Sequence, residues 1–107
     1  MAKYYIIGNY TAQAFKGFIK DPKQDRAAAA NALATALNAK MESFSITRGS
    51  YDFVGCVSGQ DFESMAAVKL AVEASGAITN FTILEEMDMG KTAEMAGKAL
   101  GVYKPAG

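Results

Sequence analysis

The sequence predicts an α+β fold of the ferredoxin-like type, β-α-β-β-α-β, followed by one extra C-terminal helix. Two observations predict it. Apolar residues change between strand-like and helical spacing in that order, and a glycine turn at Gly49 joins two successive strand-like runs. Such a chain forms a four-stranded antiparallel sheet with its helices on one face. At 107 residues, we expect one domain over residues 1–101 and a flexible tail over residues 102–107.

The first predicted elements are a strand and two helical segments. Residues 4–10 are aromatic and β-branched, which is typical of a strand. Thr11 is a favourable N-cap for a short helix over residues 12–19. A proline interrupts that helix, and Asp21 is placed to cap the longer, alanine-rich helix that we predict over residues 27–39.

A hairpin is predicted next in the chain. Residues 41–47 alternate between apolar and polar side chains, and residues 51–58 form a second strand-like run. Gly49 lies between the two runs, where a tight turn requires a positive φ angle. The turn therefore delivers Tyr51 and Asp52 to the start of the third strand.

The second half of the chain repeats the helix-then-strand order. Asp61 is the expected N-cap of a mostly apolar helix that Gly76 ends. Residues 78–84 form the fourth predicted strand, and residues 92–100 form the last helix, with Thr92 as its N-cap.

The composition excludes several functional classes. Eleven basic residues balance eleven acidic ones, so the chain lacks the excess of positive charge that binding to nucleic acids or acidic membranes requires. Histidine is absent and no carboxylate-rich loop has metal-binding spacing, so we predict neither a metal nor a cofactor. The single cysteine, Cys56, lies among apolar residues and is typical of a small buried side chain. Without a secretory signal or a membrane span, the expected location is cytoplasmic.

The first predicted strand has apolar side chains on both faces. Tyr4 and Ile6 fall on one face of the strand, and Tyr5 and Ile7 fall on the other. Because the helices cover only one face of the sheet, the other face needs a partner. A second copy of the chain is the simplest cover, so we expect a homodimer or a multiple of dimers.

Candidate ligand-binding residues lie near the ends of the predicted strands. Asp52 either accepts backbone N–H groups at the turn or presents its carboxylate to a ligand as an orienting group or base. Tyr51 points to the opposite strand face, where it is either an interface aromatic or a ligand contact. The full candidate set, with no catalytic residue assigned, is Tyr5, Tyr10, Thr11, Ser45, Arg48, Tyr51 and Asp52.

Three of these candidates have an equally simple structural alternative. Thr11 is either a helix cap alone or part of a polar site at a helix N-terminus. Ser45 belongs to a hydroxyl-lined strand face that meets either water or a cavity. Arg48 is either a solvated surface residue, or a partner for an anion or for a carboxylate such as Asp52.

Several short motifs, taken in order, resemble the GYD domain family, a group of small bacterial and archaeal proteins. These motifs span roughly residues 3–95 and are Gly8-Asn9-Tyr10-Thr11, Asp21-Pro22-Lys23 with Arg26, Ser43-Phe44, Gly49-Ser50-Tyr51-Asp52 and Gly76. The resemblance implies a ferredoxin-like protomer of the dimeric α/β-barrel superfamily. That superfamily includes cofactor-independent monooxygenases and isomerases acting on aromatic or lactone substrates.

Three functions are compatible with these observations. The first is a homo-oligomeric α/β-barrel protein that binds a small molecule between sheet and helices. The second is a cofactor-independent enzyme, monooxygenase-like or isomerase-like, in which Asp52 or a tyrosine transfers the proton. The third is a structural or regulatory subunit whose sheet face serves only assembly. A pocket with convergent polar groups would favour binding, and a buried carboxylate in that pocket would favour catalysis.

Overall fold

A computed structural model describes residues 2–59 and 61–107. Its four strands form one antiparallel sheet in the order β2-β3-β1-β4. This arrangement confirms the predicted α+β, ferredoxin-like fold with an extra C-terminal helix. The elements are β1 (Ala2–Tyr10), α1 (Ala12–Lys20), α2 (Arg26–Ala36), β2 (Lys40–Ile46), β3 (Phe53–Gly59), α3 (Phe62–Ala74), β4 (Ile78–Glu85) and α4 (Met89–Leu100).

Two predicted helix starts were wrong. Helix α2 is capped by Asp25, whose side chain accepts a hydrogen bond from the backbone N–H of Ala28, and not by Asp21. Helix α4 is capped by Asp88 and starts at Met89, one turn before the predicted cap Thr92. In both cases a nearby aspartate competes for the cap, and the path of the chain decides which one is used.

Two further boundaries also differ from the sequence prediction. Helix α2 ends at Ala36 and not at residue 39, because Asn38 has a φ of 58° and breaks the helical path. Strand β3 starts at Phe53, so Tyr51 and Asp52 belong to the connection that precedes it. Gly49 has the predicted positive φ, at 140°.

The core lies between the sheet and helices α1 to α3. Tyr4, Phe53 and Met65 have less than 2% of their surface exposed. The Phe53 ring lies 5.4 Å from the ring of Tyr10 and 6.0 Å from that of Phe81, measured between centroids. This aromatic cluster joins three adjacent strands and fixes the end of the sheet from which Tyr10 projects.

The second face of the sheet, which we call the open face, is apolar and only partly covered. Strand pairing places Tyr5 opposite Cys56 and Leu84, with Ile7 opposite Val54. Tyr5 is 38% exposed, Val54 39% and Leu84 50%. The sequence prediction that both faces of β1 carry apolar side chains is therefore confirmed. Cys56 is half-buried on this face, less enclosed than expected.

Each edge strand of the sheet contains an irregularity. In β2, Met41 pairs with Val57 and Ser43 pairs with Cys56, so Glu42 is an extra residue in the ladder. In β4, the register shifts around Asn80, which has a φ of 56°. Both bulges lie on strands with one neighbour, which is where bulges are over-represented.

Helix α4 buries none of its residues against residues 2–59 and 61–88. The radius of gyration is 17.6 Å and the longest dimension is 59 Å. A compact chain of this length has a radius of gyration of about 13 Å. The residues after α4 are also exposed, and the flexibility of residues 102–107 stays a prediction. None of the helices in residues 2–59 and 61–107 has the length and apolarity required to cross a membrane.

A carboxylate on α3 connects that helix to β4 through a hydrogen bond. Glu73 Oε2 accepts hydrogen bonds from Lys69 Nζ and from the backbone N–H of Phe81, both at 3.0 Å. The hydrogen bond from Lys69, with that from Phe81, holds the pKa of Glu73 below its ordinary value of 4.5. The ionised carboxylate therefore contributes stability above about pH 4.5, and this contribution is lost as pH falls through the lowered pKa.

We accordingly expect the melting temperature of Glu73→Gln to fall less steeply than that of the parent as the pH is lowered. The parent should lose more melting temperature than the variant between about pH 6 and about pH 3, because only the parent carboxylate must be protonated. Thermal melts followed by circular dichroism measure this difference. Glu94→Gln on α4 is the matched control and should parallel the parent. Parallel curves for the parent and Glu73→Gln would contradict the assignment.

Candidate functional site

A cavity of about 90 Å³ lies between the sheet and helices α2 and α3. Its wall is mainly apolar because each of these elements turns a non-polar stripe towards the core. Strand β1 contributes to one side of the wall, and α2 contributes the alanine-rich side, where small side chains leave space. Representative apolar side chains of the wall are Ile6, Leu33, Met41, Phe53, Val68 and Ile78.

Three side chains of the wall carry polar groups: those of Tyr10, Arg26 and Ser64. Tyr10 ends β1 and is only 6% exposed. Arg26 is the first residue of α2, so the Asp25 cap fixes its backbone. The strand end and the helix start thus bring a phenol and a guanidinium to the same cavity from positions 16 residues apart in the sequence.

The guanidinium of Arg26 is incompletely satisfied. Its Nη1 donates to Gln24 Oε1 at 3.2 Å, and its Cζ lies 5.9 Å from the centre of the Phe18 ring. Its Nε is buried and has no hydrogen-bond partner among the described residues. A buried donor without an acceptor costs about 1–3 kcal/mol, and more when it belongs to a charged group. An acceptor supplied by a ligand would remove that cost.

The phenol of Tyr10 can act as a second donor. Burial raises its pKa, and the positive charge of the neighbouring Arg26 offsets part of that rise. The negative charge of Asp52 raises the Tyr10 pKa further. Because a tyrosine pKa is ordinarily 10.0, the hydroxyl keeps its proton at neutral pH. It can therefore donate a hydrogen bond but is a weak base.

Asp52 fixes the backbone from which Tyr10 projects. Its Oδ2 accepts hydrogen bonds from the Tyr10 N–H at 2.9 Å and from Asn9 Nδ2 at 3.3 Å. Its own N–H donates to the carbonyl of Gly8 at 2.8 Å. Of the two roles that the sequence left open, the described contacts are those of backbone support, and Asp52 is not part of the cavity wall.

Thr11 also has a supporting position beside the cavity. Its hydroxyl accepts from the N–H of Ala14 at 3.3 Å, which caps α1, and donates to the carbonyl of Gly76 at 2.7 Å. Its backbone N–H donates to Ala77 at 3.0 Å. Thr11 therefore ties the start of α1 to the loop before β4.

The other four sequence candidates lie away from the cavity. Tyr5 and Ser45 are on the open face, where the Tyr5 hydroxyl donates to Glu86 Oε2 at 2.8 Å. Arg48 and Tyr51 are exposed in the connection between β2 and β3. Of the proposed set, only Tyr10 contributes to the cavity wall.

Sequence reasoning missed Arg26 and Ser64 as site residues. Arg26 was noted only as part of a motif, because an arginine at a helix start has the pattern of an ordinary surface charge. Its position in the sequence is the signal that could have identified it. Arg26 directly precedes a run of alanines, and side chains as small as alanine leave space between the helix and the sheet. Among the described residues, no group of three or more His, Cys, Asp or Glu side chains is arranged to hold a metal ion.

A family model described as the GYD domain matches residues 4–96. That range contains the sheet from the third residue of β1 onward, helices α1 to α3 and the first two turns of α4. No curated protein and no solved structure shows significant similarity to the chain.

Proposed function

This chain belongs to the GYD domain family, and we propose that it binds a small organic acid in the cavity between the sheet and helices α2 and α3. The observation that carries the proposal is the buried Nε of Arg26, which has no partner among the described residues. A guanidinium with a free donor, next to a protonated phenol, is suited to a carboxylate or another planar anion.

The size of the cavity limits the apolar part of the ligand. A dry apolar cavity of about 150 Å³ holds benzene, whereas this one has about 90 Å³. The wall is open to solvent, and a second depression of about 210 Å³ shares Arg26 with it and is lined also by Phe18, Asp21 and Ile46. The cavity alone is smaller than one that holds benzene, so we expect a short chain, or one ring that is only partly inside the cavity and extends into this depression, with the acid group held at Arg26.

Binding of benzoate tests the proposal, with benzyl alcohol as the uncharged analogue. Titration followed by NMR chemical shifts should show saturable binding of benzoate, with the largest shifts in β1 and α2. Arg26→Gln should weaken benzoate binding by roughly tenfold or more, because a charge-assisted hydrogen bond is lost. Benzyl alcohol should bind weakly to both proteins.

The chain contains a matched control, since Arg48 is its only other arginine and is exposed. Arg48→Gln removes the same charge and should leave benzoate binding unchanged. Equal losses in the two variants would show that general electrostatics, and not the cavity, attracts the acid. Absence of saturable benzoate binding to the parent would contradict the proposal.

Binding is favoured over catalysis by the chemistry of the wall. Its described residues include no carboxylate, Tyr10 retains its proton at neutral pH, and Asp52 is engaged with the backbone of β1. The functional groups that converge there are hydrogen-bond donors. They suit recognition of an anion better than abstraction of a proton.

We also propose that two copies pack through their open faces. The support is the partly exposed apolar surface formed by Tyr5, Val54 and Leu84. Large contiguous apolar patches on a protein surface mark interaction sites. Sedimentation equilibrium at micromolar concentration should give twice the 11.3 kDa mass of one chain, and a mass of 11.3 kDa would contradict it.

A further inference from the structure

Helix α4 is amphipathic and packs on no other element among the described residues of its own chain. Its apolar stripe follows the spacing i, i+4, i+7, i+11, and its charged side chains lie on the opposite side. Two alanines in the middle of the stripe would allow close approach to another surface. The stripe contains Met89, Ala93, Ala96 and Leu100, and the opposite side contains Lys91, Glu94 and Lys98.

Such a helix needs packing to be stable. It has 12 residues, and two of them, Gly90 and Gly97, are glycines. Helices shorter than about 12–15 residues are marginal in water on their own, and each interior glycine costs about 1 kcal/mol relative to alanine. Because α4 buries none of its residues, its stability must come from a surface outside the described chain.

The position of α4 indicates which surface this is. Three residues separate it from the end of β4, and the first of them, Glu86, accepts the hydrogen bond from the Tyr5 hydroxyl on the open face. The helix therefore leaves the domain at the rim of the open face. A second copy that covers the open face would therefore lie beside the start of α4.

The open face alone is small for a stable interface. Strands about 4.8 Å apart, with a rise of about 3.3 Å per residue, give a four-stranded face of roughly 19 by 25 Å, or about 500 Å². A stable complex commonly buries about 800 Å² on each partner. Additional apolar contact beyond the sheet would meet this requirement, and the exposed stripe of α4 would supply it.

We propose that α4 is an exchanged arm, and that its apolar stripe packs on the domain of a second copy beside the open-face contact. In a twofold dimer, α4 of each protomer packs on the other protomer, so the symmetry covers both apolar stripes in the same way. A lipid surface suits α4 less well, because its polar side carries Glu94 between two lysines and is not strongly basic. The inference rests on the proposed open-face dimer.

Hydrogen exchange measured at increasing protein concentration tests whether α4 packs on a second copy. In the full-length protein, the backbone amides of residues 93–100 should exchange roughly tenfold or more slowly once dimer predominates over monomer. Sedimentation on the same samples reports the dimer independently. A dimer whose α4 amides exchange at the same rate at every concentration would contradict the packing of α4 on a second copy. The proposal of an open-face dimer would still stand.

A pair of variants adds a second measurement. Ala96→Lys places a charge on the apolar stripe, and Glu94→Gln makes the same change in net charge on the polar side. Both replacements are good helix formers. Ala96→Lys should abolish the protection and weaken the dimer by roughly tenfold or more, whereas Glu94→Gln should do neither. Equal behaviour of the two variants would overturn the proposal, as would protection that requires phosphatidylglycerol vesicles.

Discussion

Replacing Phe53 by alanine is expected to lower the free energy of unfolding by about 3–5 kcal/mol. The side chain is 1% exposed and packs between aromatic rings from β1, β2 and β4. Its removal leaves a void that its neighbours cannot fill without breaking the sheet register. Since a domain of this size is stable by about 5–15 kcal/mol in total, the loss is a large fraction of the whole.

Chemical denaturation followed by circular dichroism measures this loss. Phe62→Ala is the matched control, because Phe62 is 52% exposed at the start of α3 and its ring centroid lies 6.3 Å from that of Tyr4. The control should lose far less stability than Phe53→Ala. Similar losses in both variants would mean that Phe53 is not at the centre of the core.

Removing the carboxylate of Asp52 is expected to have the second largest effect. Asp52→Ala leaves the Tyr10 N–H without its acceptor at 2.9 Å and takes one partner from Asn9. Hydrogen bonds to a charged group contribute about 1.5–3 kcal/mol, so we expect a loss in that range. Asp52→Asn retains an acceptor oxygen and should lose roughly 1–2 kcal/mol, because a charged hydrogen bond becomes neutral.

The Asp52→Asn variant also distinguishes two roles for Asp52, which are support of the β1 backbone and direct contact with the ligand. If Asp52 only holds β1 in place, Asp52→Asn should melt below the parent and bind benzoate with nearly unchanged affinity. A desolvated functional carboxylate behaves differently, because its removal can stabilise the free protein. A higher melting temperature together with weakened benzoate binding would therefore reverse the assignment.

Most of the fold could be predicted because its signals are local. Tyr4 and Ile6 alternate with Tyr5 and Ile7, which identifies a strand with apolar side chains on both faces. This inference needs no knowledge of the rest of the fold. Helix starts were less predictable. Asp21 and Asp25 are both good caps four residues apart, and the turn between them selects Asp25.

The site could be predicted only in part, because its polar groups come from separate elements. Tyr10 was found at the strand end, where polar ligands are commonly held. Arg26 became visible only when the cavity and the buried Nε were known. No periodicity distinguishes an arginine that enters a core from one that lies in solvent.

The bulges on the two edge strands have a consequence for how far self-association proceeds. An unbroken edge strand offers its free N–H and C=O groups to the edge of another sheet, which can continue into a fibril. Here Glu42 interrupts β2 next to Lys40, and Asn80 interrupts β4. Strand-to-strand growth is thereby disfavoured at both ends of the sheet. A chain with zero net charge, and so without charge repulsion between copies, thus has a geometric safeguard against amyloid-like polymerisation.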